Sequence, residues 1–337
     1  MLIAALALAL AATLSELLAP PLTGHRYALH HFAYDAWPNM DLWRPSKDLP
    51  YELIPNLIGS RTSLGNGLFT NSLGMRDREH SLAAKALGTT RIAILSDSIG
   101  MYGRWPDMLG EMLERAAPGR YDVWNWSIGG FGLAEYARVF TNRALLFQPD
   151  IVLIGFELND LKPTRVILKA SDGRLLSYRP FNLPGGLYLD NFLYAHSYLY
   201  RMSMSFLERW KGVSGGSFQD RLRFGAPALE KILSAARSRS IRVVAAIFPR
   251  LKSPERYTDD ELTGWGSISE LLRRDGVPFL DLSAVFAKTG RERYRWKLGD
   301  AIHFNDAGSR IIARALLDFL RRQGLVTGRR FQPTAAP

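Results

Sequence analysis

Four clusters of polar residues in this chain have the types and the spacing that nucleophilic catalysis requires. They are Ser96-Asp97-Ser98 and the stretches 125–132, 157–160 and 300–303. A serine hydroxyl is a weak nucleophile until a neighbouring base accepts its proton, and histidine is a common base. We therefore expect Ser98 to attack a carbonyl carbon while His303 takes its proton.

Other residues in these clusters suit the same chemistry. Asp300 lies three positions before His303 on a predicted turn, where its carboxylate can hydrogen-bond the imidazole and orient it. The side-chain amide of Asn159 is a neutral double donor, which suits a developing oxyanion. A glycine in the stretch 125–132 lets a backbone N–H approach a ligand without a Cβ in the way.

Each cluster taken alone also fits a purely structural role, either as a helix or loop cap or as a tight turn. The residues open to this interpretation are Asp97 and Ser98, Gly129-Gly130, Asn159-Asp160, and Asn305 or Asp306 before the last helix. Catalysis is favoured because all four clusters fall on loops that a single sheet topology would bring to one edge.

The elements that must position these clusters are strands and helices in alternation. Short apolar runs, typical of strands buried on both faces of a parallel sheet, occupy 92–95, 123–126, 151–156, 243–248 and 278–282. Helical patterns separate or follow them at roughly 106–116, 133–147, 227–238, 258–274 and 307–322. The alternation predicts a doubly wound parallel α/β sheet with right-handed crossovers.

This alternation is interrupted over about 161–225, which we predict to be an insertion. Its first part, 162–186, has the Asp172-Gly173 and Pro184-Gly185-Gly186 turns of a loop. Its second part, 187–210, carries apolar and aromatic residues at helical spacing. That helical segment could be a lid, a membrane-lying face or the wall of an acyl pocket, or it could be an extra core helix.

The N-terminal residues form a hydrophobic segment. Residues 2–14 carry no charge, Glu16 follows, and a Pro20-Pro21 pair lies just before Leu22. The uncharged core has the length of an export signal, and the stretch through Leu22 is nearly long enough to span a bilayer. Glu16 is costly in hydrocarbon, so a buried helix of a soluble protein is the alternative. We predict that 1–22 is a signal or membrane anchor and that the catalytic domain lies outside the cytoplasm.

Composition narrows the classes of protein further. The 337 residues include no cysteine, which excludes disulfides, thiolate catalysis and cysteine-ligated metals. Lys and Arg number 43 against 32 acidic residues, for a net charge of +11. No basic helix is interleaved with aromatic residues, so we expect no nucleic-acid partner. The positive charge favours either attraction to an anionic surface, such as lipid headgroups or acidic glycans, or solubility alone.

Taken in order, the clusters resemble the four motifs of the SGNH hydrolases, also called GDSL esterases and lipases, over roughly residues 90–323. Ser96-Asp97-Ser98 resembles the Gly-Asp-Ser motif, and 125–130 resembles the second motif. Asn159-Asp160 is similar to the Gly-x-Asn-Asp motif, and Asp300-x-x-His303 to the Asp-x-x-His motif. The stretch 71–77 is similar to a segment of bacterial, membrane-anchored relatives.

Two residues of this chain differ from the pattern of that family. Ser96 stands where the first motif usually has glycine, and Glu157 stands where the third motif usually begins with glycine. Both precede the presumed catalytic atoms, so the difference concerns the geometry of the loops. Glu157 near the site could also bias which substrates are accepted.

The resemblance implies a three-layer α/β/α, flavodoxin-like domain over 90–325. A connector over 23–89 would pack on this domain, and a flexible tail would follow over 326–337. The catalytic residues would be Ser98, Asp300 and His303. The oxyanion hole would consist of the Ser98 N–H, the Gly130 N–H and the Asn159 amide, and no cofactor or metal would be needed.

The expected function is that of a serine esterase that cleaves acyl esters, acetyl esters included, of a lipid or glycan through an acyl-Ser98 intermediate. An O-acyltransferase modifying a cell-envelope or exported polysaccharide would use the same motifs. A non-catalytic glycan-binding or scaffold protein could also keep the fold, but it would not need an intact set of four catalytic motifs. The expected partners are the ester substrate and the membrane.

Overall fold

The computed structural model describes residues 2–28, 42–61, 67–82, 84–161, 166–169, 175–178, 186–210, 218–287 and 290–327. The chain forms two compact units. The smaller unit consists of Met1–Glu52 with Pro163–Ser217, and the larger of Leu53–Lys162 with Phe218–Pro337. All four polar clusters belong to the larger unit. The end of the predicted tail, 328–337, lies outside the described residues.

The described elements alternate between strand and helix through most of the larger unit. The helices are α1 (Leu2–Leu22), α2 (Ser98–Tyr102), α3 (Trp105–Ala116), α4 (Leu133–Asn142), α5 (Gly186–His196), α6 (Tyr198–Trp210), α7 (Phe218–Arg237), α8 (Asp259–Arg274), α9 (Leu282–Phe286) and α10 (Asp306–Arg322). The strands are β1 (Trp43–Arg44), β2 (Glu52–Leu53), β3 (Ser60–Arg61), β4 (Gly67–Leu68), β5 (Thr90–Leu95), β6 (Tyr121–Asn125), β7 (Ile151–Phe156), β8 (Val166–Lys169), β9 (Leu175–Tyr178), β10 (Arg242–Ile247) and β11 (Phe279–Asp281). Short 3-10 helices occupy Ala144–Phe147, Leu158–Leu161, Pro254–Arg256 and Arg291–Tyr294.

The centre of the larger unit is a five-stranded sheet in the order β11-β10-β7-β5-β6. Every neighbouring pair is parallel, which confirms the predicted parallel α/β sheet. Read from β6, the strands follow the 2-1-3-4-5 order of flavodoxin-like sheets. Strand order reverses between β5 and β7, and such a switch point opens a crevice at the carboxyl ends of the strands.

Helices pack on the sheet through side chains that are buried on alternate sides of each strand. Ile92 and Leu153 join a core cluster with residues of α3, α9 and α10. The next residues along the same strands, Ala93 and Val152, are also buried. Helices α4 and α7 pack against each other and contact β5 and β10, respectively. Because successive strand residues point to opposite faces, both faces of the sheet are covered.

Two helices of the larger unit differ from the predicted patterns. The helix expected over 133–147 ends at Asn142 and is followed by a 3-10 helix over Ala144–Phe147, which Gln148 ends in a left-handed conformation with φ of 51° just before Pro149. The helix expected over 227–238 begins at Phe218, so Pro227 lies inside it. Because proline is typical of the first turn of a helix, the local sequence pattern predicted the start of this helix at Pro227, which is too late.

The prediction of a loop over 162–186 was wrong, because this stretch contains a β-hairpin in the smaller unit. Strand β8 pairs antiparallel with β9, with Val166 opposite Tyr178 and Lys169 opposite Leu175. Two apolar runs flanking an Asp-Gly pair are a hairpin signal, which explains the difference. The Asp172-Gly173 pair and residues 184–185 of the second predicted turn lie outside the described residues.

The segment 187–210 forms two helices, α5 and α6, where sequence periodicity predicted one helical stretch. Ser197 separates them, and its hydroxyl accepts the N–H of Tyr200 at 2.9 Å. A serine in this position satisfies an unpaired N–H group of the first helical turn. Helix α5 therefore ends at His196, and α6 begins at Tyr198.

Helix α1 contacts α6 within the smaller unit. The Glu16 carboxylate accepts the N–H of Tyr198 at 2.7 Å and that of Leu199 at 3.3 Å, and it also accepts the Ser197 hydroxyl. The acidic residue in the apolar N-terminal segment therefore caps a helix distant in sequence. In the described part of the chain, no helix combines the length and hydropathy needed to cross a membrane.

Candidate active site

The first polar cluster lies on a sharp turn between β5 and α2. Asp97 begins α2 by accepting the N–H of Ile99 at 2.9 Å, as the capping interpretation predicted. Ser98 is the first residue of that helix. A Cβ on Gly100 would lie 2.2 Å from the Ser127 hydroxyl, so only glycine allows this turn to approach the next loop so closely.

The structure brings the three predicted catalytic residues into one hydrogen-bonded chain. The Ser98 hydroxyl lies 2.9 Å from Nε2 of His303, and Nδ1 of His303 lies 2.9 Å from Oδ2 of Asp300. The other Asp300 oxygen accepts the N–H groups of Ile302 and His303, each at 2.9 Å. With its Nδ1–H directed at the carboxylate, the imidazole presents Nε2 to the serine as an acceptor.

The carboxyl of Asp300 is held in its charged form. Burial raises its pKa, but the hydrogen bonds from the side chain and backbone of His303 outweigh burial and lower the pKa to about 2. A charged carboxylate next to Nδ1 stabilises the imidazolium that forms when Nε2 accepts a proton.

Tyr102 is a neighbour of this site that the motifs did not indicate. Its ring meets that of His303 edge to face, with the centroids 5.8 Å apart. Burial raises the pKa of its hydroxyl to about 12, so the phenol stays neutral. Its position one helical turn after Ser98 was the available signal, since residues four apart lie on the same side of a helix.

Asn159 lies on the 3-10 helix that follows β7, and it connects the third cluster to the first. Its Nδ2 donates to Oδ2 of Asp97 at 3.3 Å, and its backbone N–H donates to Oε2 of Glu157 at 2.8 Å. An amide has two N–H groups, so one can remain bound to Asp97 while the other donates to a substrate oxygen.

The second cluster is held beside the first by hydrogen bonds that continue the β5–β6 pairing. The N–H of Trp126 donates to Ile94 and that of Ile128 to Ser96, at 2.9 and 3.1 Å. Gly130 follows in a tight turn with φ of 78°, a left-handed conformation that favours glycine. Its predicted role as an N–H donor stays a prediction.

Three buried carboxyls lie in the first and third clusters, namely those of Asp97, Glu157 and Asp160. Burial raises the pKa of each of them. The side chain of Glu157 is only 1% exposed, and its expected influence on substrate choice stays a prediction. It faces inward, and its Oε1 lies 2.8 Å from Nε of Arg250.

Ser96, the other departure from the family pattern, is accommodated by a glycine on the adjacent strand. Its side chain is buried, and its hydroxyl has no hydrogen-bond partner among the described residues. A Cβ on Gly155 would lie 2.7 Å from that hydroxyl. Ser96 adds a side chain to the first motif, and Gly155 on β7, which has no side chain, leaves the space for it.

The stretch 71–77 supports the end of β6 from outside the sheet. Oδ2 of Asp77 accepts the backbone N–H of Asn125 at 2.7 Å and lies 2.8 Å from Nε2 of His80. The Asn125 side chain donates to the backbone oxygens of Gly100 and Arg76 at 3.1 and 3.2 Å. Asn125, the first residue of the second motif, is thus held in place by these contacts. His80 is a contact that the motifs did not indicate, although it lies three residues after Asp77, as His303 does after Asp300.

Asn305 caps the last helix, as the structural interpretation of that cluster allowed. Its side chain accepts the N–H of Gly308 at 3.0 Å at the start of α10. Capping by Asn305 and hydrogen bonding by His303 coexist on the same loop.

Among the described residues, no group of three or more His, Cys, Asp or Glu side chains is placed to hold a metal ion.

Comparison with known proteins gives a match over most of the chain. The model of the GDSL-like lipase/acylhydrolase family matches residues 81–311. No curated protein sequence matches the chain.

Solved structures to which the chain is similar include three bacterial proteins. An acetylxylan esterase from Geobacillus stearothermophilus is 14% identical, with a TM-score of 0.47 and coverage of 69% of this chain and 95% of the esterase. A lipase/acylhydrolase from Enterococcus faecalis is 15% identical, with a TM-score of 0.45 and coverage of 70% and 97%. A GDSL-like lipase from Bacteroides thetaiotaomicron is 12% identical, with a TM-score of 0.44 and coverage of 72% and 93%.

The family model covers more than half of the chain, and the matched range includes Ser98, Asn159, Asp300 and His303. This chain belongs to the GDSL-like lipase/acylhydrolase family.

Proposed function

We propose that this protein is a serine esterase in which Ser98 forms a covalent acyl intermediate. The observation that carries the proposal is the chain of two 2.9 Å contacts from Ser98 through His303 to Asp300. This geometry offers the serine a base within hydrogen-bond reach, and it offers the base an orienting carboxylate.

In the first half of the reaction, the Ser98 oxygen attacks the ester carbonyl while its proton moves to Nε2 of His303. Asp300 stabilises the resulting imidazolium. Collapse of the tetrahedral intermediate breaks the bond to the leaving alcohol, which takes the proton back from Nε2. A water molecule then repeats the sequence on the acyl-Ser98 ester, releasing the acid and restoring the serine.

The negative oxygen of each tetrahedral intermediate needs donors that are already in place. We assign this role to the backbone N–H groups of Ser98 and Gly130 and to the Asn159 amide. Support for Asn159 comes from its tether to Asp97, which holds the amide next to the turn that carries Ser98.

Labelling with a serine-directed phosphonate tests the assignment of the nucleophile. The reagent should modify the protein once, at Ser98, and labelling should vanish in Ser98→Ala and nearly vanish in His303→Ala. Ser96→Ala is the matched control and should label normally, because Ser96 is buried under the turn. Esterase activity that survives in both Ser98→Ala and His303→Ala would overturn the mechanism. A folded wild-type protein that neither labels nor cleaves any ester would instead favour a binding role.

For the substrate we propose an acyl ester of a lipid or glycan. The active-site residues act on the carbonyl group and its two oxygens, so the acyl chain and the alcohol must be identified by screening. Esters of graded chain length and acetylated glycans, offered with and without sugar acceptors, separate the outcomes. Release of free acid marks a hydrolase, and transfer of the acyl group to an added sugar hydroxyl marks a transferase.

We also propose that the catalytic domain lies outside the cytoplasm, attached to the membrane through the N-terminal segment. The uncharged run 2–14 supports this location, since such a run is typical of export signals. A C-terminal reporter that is active only after export should be active, and the protein should fractionate with membranes. Reporter activity in the cytoplasm without a membrane fraction would rule this location out.

A further inference from the structure

We propose that Glu157 and Arg250 are positioning residues that hold the loop of Asn159 and thereby set how well it stabilises the oxyanion. This inference rests on the proposed function, in which Asn159 is one of the donors. It gives a role to Glu157, which stands where the family usually has glycine. The positioning contact is therefore made by a side chain that the usual motif lacks.

The Glu157 carboxylate bridges two groups inside the protein. Its Oε2 accepts the backbone N–H of Asn159 at 2.8 Å, and its Oε1 lies 2.8 Å from Nε of Arg250. The Glu157 side chain is 1% exposed and that of Arg250 is 18% exposed. A buried carboxylate of this kind is stable only when it is paired and hydrogen-bonded, so both contacts are needed to keep it there.

The two partners come from neighbouring strands. Glu157 follows β7 directly, Arg250 lies just after β10, and Phe156 pairs with Ile247 at the ends of these strands. The loop of Arg250 is itself anchored, because its backbone oxygen accepts the Tyr257 hydroxyl at 2.8 Å. The ion pair therefore joins the Asn159 loop to a part of the sheet edge that does not belong to any of the four motifs.

The charges around Glu157 explain why Arg250 is required. Burial raises the pKa of Glu157 and so does the charge of Asp97, whereas the Arg250 guanidinium and the Asn159 N–H lower it. Without Arg250, burial and Asp97 would favour the protonated carboxyl. A neutral carboxyl holds the Asn159 N–H less strongly than a carboxylate does, because charge-assisted hydrogen bonds are the stronger ones.

Loosening this loop should affect the transition state more than substrate binding. The Asn159 amide is useful only if it sits at the place where the oxyanion develops, and a displacement of about 1 Å can cost about 100-fold in rate. The ester carbonyl of the bound substrate carries little charge, so KM depends weakly on the donor. The expected signature is a lower kcat with a nearly unchanged KM.

A double-mutant cycle between Glu157 and Asn159 tests the inference. Asn159→Ala should lower kcat by ~10²–10³, the usual loss for one preorganised donor. Glu157→Ala should lower kcat by about 10- to 100-fold with KM changed by less than about twofold. In the double variant the loss should stay within about threefold of Asn159→Ala alone, because a positioning residue has little left to position.

Two further variants keep the test valid if Glu157→Ala folds poorly. Glu157→Gln conserves volume and an acceptor for the Asn159 N–H, so it should retain more turnover than Glu157→Ala. Arg250→Met should lower kcat in the same direction as Glu157→Ala, again without raising KM. The matched control is Asp150→Asn, which breaks the 2.6 Å ion pair to Lys85 at the opposite end of β7. It should cost stability and leave kcat unchanged.

The outcomes separate this inference from the proposed function. Additive losses in the double variant, or a fall in kcat for Asp150→Asn as large as that for Glu157→Ala, would show that Glu157 merely stabilises the fold. Wild-type turnover in Asn159→Ala would overturn the positioning role as well. If turnover still depends on Ser98 in either case, the esterase mechanism stands. Only activity that survives Ser98→Ala would count against the mechanism itself.

Discussion

Asp97 contacts both Ser98, the proposed nucleophile, and Asn159, a proposed oxyanion donor. Its Oδ1 accepts the N–H of Ile99 and starts the helix on which Ser98 lies. Its Oδ2 accepts the Asn159 amide at 3.3 Å and lies 3.3 Å from the Ser98 hydroxyl oxygen. Because one buried carboxylate contacts both groups, the distance between nucleophile and donor is set by a single side chain.

At the scale of single residues, Asp300→Asn should cost stability in a pH-dependent way. The pKa of Asp300 is lowered from 3.8 to about 2 in the folded protein, since His303 hydrogen bonds outweigh the effect of burial. A carboxyl with a depressed pKa stabilises the fold above its unfolded pKa, and this contribution is lost as the pH falls through the folded pKa. The difference in unfolding free energy between wild type and Asp300→Asn should be constant above about pH 4 and shrink below it.

Urea unfolding of both proteins, followed by circular dichroism between about pH 3 and pH 7, measures this difference. A difference that shrinks already near pH 6 would mean that another group is titrating. A difference that stays the same down to the lowest pH would mean that the hydrogen bonds between His303 and the charged Asp300 carboxylate do not stabilise the fold.

At the scale of elements, helices α5 and α6 expose some aromatic rings and bury others. Phe192 and Phe206 are 61% and 63% exposed, whereas Tyr194 and Tyr198 are buried. The interpretation of this segment as a core helix therefore fits only its buried residues. The exposed rings offer apolar surface on these helices, and their expected role as a lid or acyl-pocket wall stays a prediction.

We predict that Phe192→Ser and Phe206→Ser change the preference for acyl chain length while short acetyl esters are still cleaved. Both substitutions should change the unfolding free energy by less than about 0.5 kcal/mol, as is usual for exposed positions. The matched control is Tyr194→Ser, which removes a buried ring and should cost about 3–5 kcal/mol. Values of kcat/KM across esters of graded length provide the measurement. An unchanged profile in both variants would leave these rings without a role in substrate choice.

At the scale of the whole molecule, the start of the chain and the insertion are parts of one compact unit. Glu16 caps α6 through the N–H groups of Tyr198 and Leu199. Removing a capping side chain usually costs about 0.5–2 kcal/mol. Glu16→Ala should therefore speed amide exchange at Tyr198 and Leu199.

Hydrogen exchange followed by mass spectrometry would detect this change in the peptide that begins α6. Ser15→Ala is the control, since Ser15 is exposed and lies beside Glu16 on α1. Equal exchange rates in Glu16→Ala and in the wild type would show that the cap adds nothing to the stability of α6.

Much of the sheet and of the catalytic chain was predictable from the sequence. Strands buried on both faces read as uninterrupted apolar runs, so the polar residues that follow them stand out. Ser98 and Asn159 follow two such runs, and right-handed parallel topology brings those ends to one edge. Asp300 and His303 are near neighbours in sequence, so their contact depends only on a local turn.

Contacts between distant segments were not predictable, because no local period encodes them. The partner of Glu157 lies beyond an entire insertion, on a loop with no motif of its own. In the sequence Glu16 is a charge that would be costly in a membrane-spanning helix, whereas in the structure it caps another helix. Polar residues of this kind reveal their role only when the fold shows what they face, since a charge can be buried only beside its partner.

The sequence alone therefore predicted the proposed chemistry, through the types and order of Ser98, Asn159, Asp300 and His303, and it determined the parallel sheet that positions them. Only the tertiary structure decided how that chemistry is supported: the Asp97 tether, the Glu157–Arg250 pair, and the division of α5 from α6 at Ser197. The physical reason is that a catalytic motif is local, whereas the burial of a charge is settled by groups that folding brings together.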